Sequence, residues 1–175
     1  EFIRKNLPFL SYGKLRGSYG TIGNDQAANY QFLPRWAPTA YGYNGPVGYV
    51  PQNLYNPDFT WASTKKLEFG IELGFLKDRL LISSTWYRSR TGDQLIAYSL
   101  PAQTGFNSVL ENENALIQNT GFEFVLQATV VKNSNFSWNS SFNMTIPANK
   151  LLSFPGLAKS SYATAYQVGK PITEI

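Results

Sequence analysis

From Phe136 onward every second residue is apolar (Phe136, Trp138, Phe142, Met144 and Ile146, interrupted by Ser140), while Ser137, Asn139, Ser141, Asn143 and Thr145 between them are polar. Side chains of a strand point alternately to its two faces, so a period of two predicts a strand with one apolar and one wet face. The segment before it repeats the pattern. There Phe122, Phe124, Leu126, Ala128 and Val130 alternate with Gly121, Glu123, Gln127 and Thr129, and Val125 is the exception. Leu67, Phe69, Ile71, Leu73 and Phe75 alternate without a break with Glu68, Gly70, Glu72 and Gly74. A noisier alternation sets Leu80, Ile82 and Trp86 against Ser83, Thr85 and Tyr87, in a stretch rich in strand-forming residues. A shorter one sets Leu15, Gly17 and Tyr19 against Lys14, Arg16 and Ser18. The expected elements are strands over 11–21, 66–75, 79–98, 116–131 and 136–150, with no amphipathic helix.

The connections carry as much information as the strands. Residues 76–79 and 132–135 are short enough for hairpin turns, whereas 22–64 and 100–115 are long and, in the first case, full of Gly, Pro, Asn and Tyr. Loops longer than about 12–15 residues are uncommon inside compact domains. Outer-membrane barrels, by contrast, alternate short periplasmic turns with long extracellular loops. The segments 79–98 and 116–131 also exceed the usual strand of about 5–6 residues. A tilted strand crossing a bilayer needs roughly 9–11 and can project beyond it. Rings near the strand ends, at Phe75, Trp86, Tyr87, Phe136 and Trp138, suit the membrane interface. The expected fold class is therefore all-β, with antiparallel strands forming part of a transmembrane β-barrel.

Composition narrows the function classes. Of 175 residues only 15% are charged and 15% are aromatic, and neither histidine nor cysteine occurs. That removes the commonest general base, thiol nucleophiles, thiolate metal sites and every Ser-His or Cys-His constellation. No window approaches the roughly 20 apolar residues of a transmembrane helix, so contact with a membrane runs through strands. The net charge of +4 is thin and scattered, which gives nucleic acid no basic patch. The N-terminal Glu1-Phe2-Ile3-Arg4-Lys5 lacks a secretory signal, so a mature chain or a start partway through a longer protein is expected.

Several phrases stand in order over nearly the whole chain. They include Lys14-Leu15-Arg16-Gly17-Ser18-Tyr19-Gly20 running into Gly23-Asn24, then Trp61 with Ser63-Thr64-Lys65-Lys66-Leu67-Glu68-Phe69-Gly70. Trp86-Tyr87-Arg88, Thr104-Gly105-Phe106 and Asn119-Thr120-Gly121-Phe122-Glu123 follow, and then Asn149-Lys150-Leu151-Leu152 and Gly169-Lys170-Pro171-Ile172. Together they resemble the SusC/RagA class of TonB-dependent outer-membrane transporters. The resemblance implies a large plugged barrel, about 22-stranded by the usual geometry, in a Gram-negative outer membrane. It also implies import of oligosaccharides, peptides or similar nutrients, energy from a TonB complex and a SusD-like surface lipoprotein as partner. No cofactor, metal or enzymatic activity is implied. About five or six strands cannot close such a barrel, so the plug domain and remaining strands are expected outside this chain. The rival readings are a soluble all-β carbohydrate-binding module and a passive porin or adhesion barrel.

Candidate site residues fall in two places. The long loop offers Tyr30, Trp36, Tyr41, Tyr43, Tyr49 and Tyr55, whose rings could stack on sugars while neighbouring amides bond hydroxyls; the plainer reading is that such a loop packs its own rings or meets a partner. Glu68, Glu72 and Glu123 stand opposite the apolar residues and are expected to face the lumen, as charge on a water-filled barrel wall rather than a catalytic pair. Lys65, Lys66, Arg88 and Arg90 lie where strands meet loops, with lipid headgroups or solvent as their expected surroundings. Acceptor patterns for glycosylation at Asn139 and Asn143 fall inside a predicted strand and are taken as chance.

Overall fold

The computed structural model describes residues 9–24, 30, 32–40, 42 and 45–172. Among the described residues nine strands follow one another: β1 (Leu10–Asn24), β2 (Trp36–Pro38), β3 (Tyr49–Pro51), β4 (Ala62–Phe75), β5 (Leu80–Gly92), β6 (Gln94–Ser99), β7 (Ser108–Glu113), β8 (Leu116–Lys132) and β9 (Ser137–Ser153). The five long ones form one antiparallel sheet in the order β1-β4-β5-β8-β9, and β2-β3 and β6-β7 form two-stranded sheets of their own.

Three expectations change. The stretch 79–98 is not one strand, because Asp93 takes the left-handed conformation (φ 53) and ends the long sheet's ladder at Gly92. Asp is one of the few side chains that visits this region readily. Beyond it, β6 pairs with β7 from Gln94↔Glu113 to Ser99↔Ser108, so 100–115 is no continuous loop and its second half is a strand. The loop 22–64 likewise contains the small β2-β3 ladder, Trp36↔Pro51 to Pro38↔Tyr49.

The chain divides into two compact units. The first comprises Glu1–Thr21, Lys65–Arg90 and Gln118–Lys150. Its register is fixed by cross-strand contacts. Phe69 stacks on Trp86 at 6.1 Å between β4 and β5. Arg90 Nε donates to Gln118 Oε1 at 2.9 Å between β5 and β8. The Thr129 hydroxyl donates to Asn139 Oδ1 at 2.9 Å between β8 and β9. Alternation from these anchors puts Leu67, Phe69, Ile71, Leu73, Trp86, Phe122, Phe124, Phe142 and Ile146 on one face. That face is uncovered: Leu15 is 79% and Phe142 54% exposed, and the first unit has no buried apolar residue among those described.

The opposite face is better covered although it is polar. Arg16 lies flat across Gly70 of β4, with its Nη2 donating to Thr85 Oγ1 of β5 at 3.0 Å, and Thr85 is only 6% exposed as a result. A Cβ on Gly70 would stand 2.9 Å from Arg16 Cγ, so glycine makes the passage possible. Gly121 does the same for Tyr87, whose ring lies 2.5 Å from where a Cβ would be.

The second unit, Ile22–Thr64, Thr91–Ile117 and Leu151–Ile175, holds the three apolar residues that are buried among those described, Ala62, Ala115 and Leu151. Amides fasten its irregular segments. Asn53 Nδ2 donates to Leu33 O at 2.8 Å, Asn56 Nδ2 to Leu110 O at 2.7 Å, and Asn112 Nδ2 to both Thr60 O and Asp93 O at 2.8 and 2.9 Å. The last residues fold back on the end of β9, where Gly169 N donates to Leu151 O at 2.8 Å and Leu151 N to Lys170 O at 2.9 Å.

Gly121→Ala in the whole protein should cost about 1–3 kcal/mol, because the added methyl forces Tyr87 out of its rotamer. Gly20→Ala, at a strand position with nothing within 4 Å of the new Cβ, should stay within about 0.5 kcal/mol of the parent. Thermal unfolding compares the two; equal effects would mean that the Tyr87 contact does not constrain the sheet.

Candidate functional site

The sequence-predicted carboxylates gather on the polar face of the first unit. Glu72 holds Lys14 Nζ at 3.6 Å and Arg16 Nη1 at 3.5 Å, and the Tyr12 hydroxyl donates to it at 3.5 Å. Glu68 pairs with Lys66 at 3.1 Å along its own strand. Glu123 is exposed on β8 opposite Thr85, in the row that Arg16 enters from β1. These part-exposed pairs contribute little stability individually. Their effect is to make the face a strip of alternating fixed charges, with Ser83, Gln127, Thr129 and Asn139 supplying neutral hydrogen-bonding groups around it. Among the described residues no three acidic side chains group in a way that could hold a metal ion.

The loop aromatics are distributed differently. Tyr41 and Tyr43 lie outside the described residues. Trp36 and Tyr49 share one face of the β2-β3 ladder with Pro38 and Pro51, and all four are exposed. Tyr30, in the left-handed conformation (φ 62), and Tyr55 are exposed elsewhere in the same unit. Among the described residues none of these rings stacks on another; the ladder brings Trp36 and Tyr49 to one face. The amides expected to bond a ligand's hydroxyls are in part already engaged: Asn53 and Asn56 bond the backbone of their own loops. An irregular segment has no ladder to satisfy its carbonyls, and side-chain amides take that role.

A cavity of about 210 Å³ was not anticipated from the sequence. Gln94, Glu113, Ala115, Leu151, Phe154, Tyr162 and Tyr166 are among its lining residues. Tyr162 lies between Phe154 and Tyr166, with ring centroids 6.3 and 5.9 Å away. The available signal was the spacing of Tyr162 and Tyr166 after the strand end, but which surface those rings cover is set by the return of Gly169 and Lys170 to Leu151. Glu113 is the cavity's acid. Burial raises its carboxyl above the ordinary 4.5, Glu111 raises it further, and the Asn114 backbone N–H, bonded to it, pulls it back.

A sheet with an uncovered apolar face, a polar face of fixed charges and irregular segments between long strands defines the wall of a membrane β-barrel. A soluble β-sandwich would bury that apolar face against a second sheet. The chain belongs to the TonB-dependent receptor-like β-barrel family, whose pattern matches residues 7–173. It is 32% identical over 152 residues to TonB-dependent receptor P39 of Formosa agariphila, covering 87% of this chain and 14% of that protein. It is 34% identical over 159 residues to receptor P26 of the same organism, covering 90% of this chain and 16% of the relative. Identity to the TonB-dependent receptor SusC of Bacteroides thetaiotaomicron is 26% over 168 residues, 93% of this chain and 17% of SusC. The fold superposes on the structure of the RagAB peptide transporter with a TM-score of 0.83 at 26% identity, over 97% of this chain and 19% of that one. The chain thus spans about a sixth of the length of the curated relatives it matches. The family is one of outer-membrane receptors and transporters.

The Glu113 environment gives a pH dependence. A carboxyl with a raised folded-state pKa releases its proton more readily when unfolded, so folding is opposed increasingly as pH rises from 4.5 through the raised value. Glu113→Gln removes that penalty. Amide hydrogen exchange of residues 94–113 in the whole protein should be slower in the variant than in the parent near neutral pH and equal below pH 4.5. Identical exchange at both would contradict the burial of this carboxyl.

Proposed function

We propose that this chain is a wall and loop segment of an active outer-membrane importer of oligosaccharides, peptides or similar nutrients. The observation that carries this is the uncovered apolar face in a chain of the TonB-dependent receptor family. Each large apolar side chain left in water forgoes on the order of 1.5–3 kcal/mol of transfer free energy, and lipid hydrocarbon recovers it. On this reading the face with Glu68, Glu72 and Glu123 lines the water-filled lumen. The short turns are periplasmic, and the loops with Trp36 and Tyr49 are extracellular. There the exposed aromatic and proline ridge meets ligand or a SusD-like lipoprotein lid, and transport draws energy through the TonB complex. The likeness to a peptide transporter and to SusC supports import of an oligomeric nutrient without choosing between peptide and glycan.

Uptake tests the reading. In cells carrying the whole receptor, accumulation of a labelled oligopeptide or oligosaccharide should require the receptor and collapse when the inner-membrane energy coupler is deleted. Uptake undiminished by that deletion would make the barrel a passive pore. Recovery of the intact native protein in the aqueous phase without detergent would remove the membrane reading altogether.

A further inference from the structure

The two faces of the first unit treat their cations differently. On the polar face Lys14, Arg16 and Lys66 each pair with Glu72 or Glu68, at 3.6, 3.5 and 3.1 Å. All three acidic residues of the five long strands, Glu68, Glu72 and Glu123, stand on that face. Alternation separates Lys65 from Lys66: the second joins Glu68, and the first turns to the apolar face. Arg88 and Arg90 follow Trp86 on that same face of β5, and Lys150 follows Ile146 on β9. Among the described residues none of these four cations pairs with a carboxylate. The apolar face has no acid to offer, and its remaining strand cation, Lys132, lies at the short-turn end.

Register brings them together. The pairing that stacks Phe69 on Trp86 sets Lys65 directly opposite Arg90. The Thr64 and Thr91 hydroxyls, 2.9 Å apart, confirm the same alignment one residue further on. Directly opposed side chains start about 5 Å apart, and like charges there repel. Arg90 is held to Gln118 of β8. The register of Thr129 with Asn139 puts Lys150 on the far side of that Gln118. Arg88 stands one step nearer the apolar band, beside Trp86. The result is a row of cations bordering the apolar band at the long-loop end of the sheet, with a repulsive pair at its centre.

We propose that Lys65, Arg88, Arg90 and Lys150 form a docking site for the phosphate groups of membrane lipid headgroups in the leaflet on the long-loop side. This rests on the barrel-wall reading above. The apolar band fixes the depth: lipid chains cover Phe69, Trp86 and Phe122, and the next residues along the strands meet the headgroups. A phosphate between Lys65 and Arg90 relieves their repulsion, and guanidinium groups grip phosphate oxygens in pairs.

The test uses the whole receptor in mixed micelles with phosphatidylglycerol and phosphatidylcholine, reading by native mass spectrometry which lipid stays bound. The parent should retain phosphatidylglycerol preferentially. Lys65→Gln, Arg88→Gln and Arg90→Gln should each lower that preference about fivefold, and Lys66→Gln, on the other face, should leave it unchanged. Raised salt should weaken the preference in the parent itself, a readout that stands if a variant fails to fold. Equal retention of the two lipids by the parent, or an equal loss in Lys66→Gln, would overturn the proposal while leaving the barrel intact. A protein that binds no lipid and needs no detergent would instead signal failure of the barrel reading.

Discussion

A strand in lipid finds no water for its amides and carbonyls, so every one must bond to a neighbouring strand. The rest of this structure depends on that constraint. It forces the long strands into one continuous ladder, which in turn commits every side chain to one of two surfaces. The surface toward hydrocarbon must be apolar and the other is free to be polar. Amphipathicity in this chain is therefore reversed relative to a soluble sheet, because the greasy side is open and the side with the carboxylates and their paired cations is crowded.

This explains why the sheet was legible in the sequence. The period of two at Leu67–Phe75 and Phe136–Ile146 is a direct imprint of the two environments, and short turns beside long connections reveal which ends are alike. Val125 breaks the pattern because the polar face tolerates an apolar residue among its hydrogen-bonding groups, whereas the middle of the apolar band carries no charge. The limits of the reading are equally physical. Alternation cannot tell that β5 stops at Gly92, since Gln94–Ser99 is as strand-like as what precedes it. The break lies in one left-handed residue, Asp93, and in a switch of partner from β8 to β7.

The candidate site was legible in part. The polar-face positions of Glu68, Glu72 and Glu123 follow from counting residues in twos. Their partners do not, since Arg16 reaches Glu72 and Thr85 only because strands distant in sequence are adjacent in space. Loop aromatics could be named but not arranged. Trp36 and Tyr49 share a face through the β2-β3 ladder, and the bonds by which Asn53 and Asn56 fasten the segments around it carry no periodic signal. The cavity around Glu113 escaped notice for the same reason, as its walls come from β6, β7, β8, the end of β9 and the segment after it.

Alternation protects a sheet against slipping by one residue, which would turn every side chain to the wrong surface. It offers no protection against slipping by two. The glycines beneath Arg16 and Tyr87 supply what alternation lacks. If β4 slid two residues past β1, Glu68 or Glu72 would occupy the place of Gly70, and the Arg16 side chain would have no channel to lie in. Such a wall has keys cut at single positions. A barrel of near-identical amphipathic strands can thereby be assembled in one alignment out of several that hydropathy alone would accept.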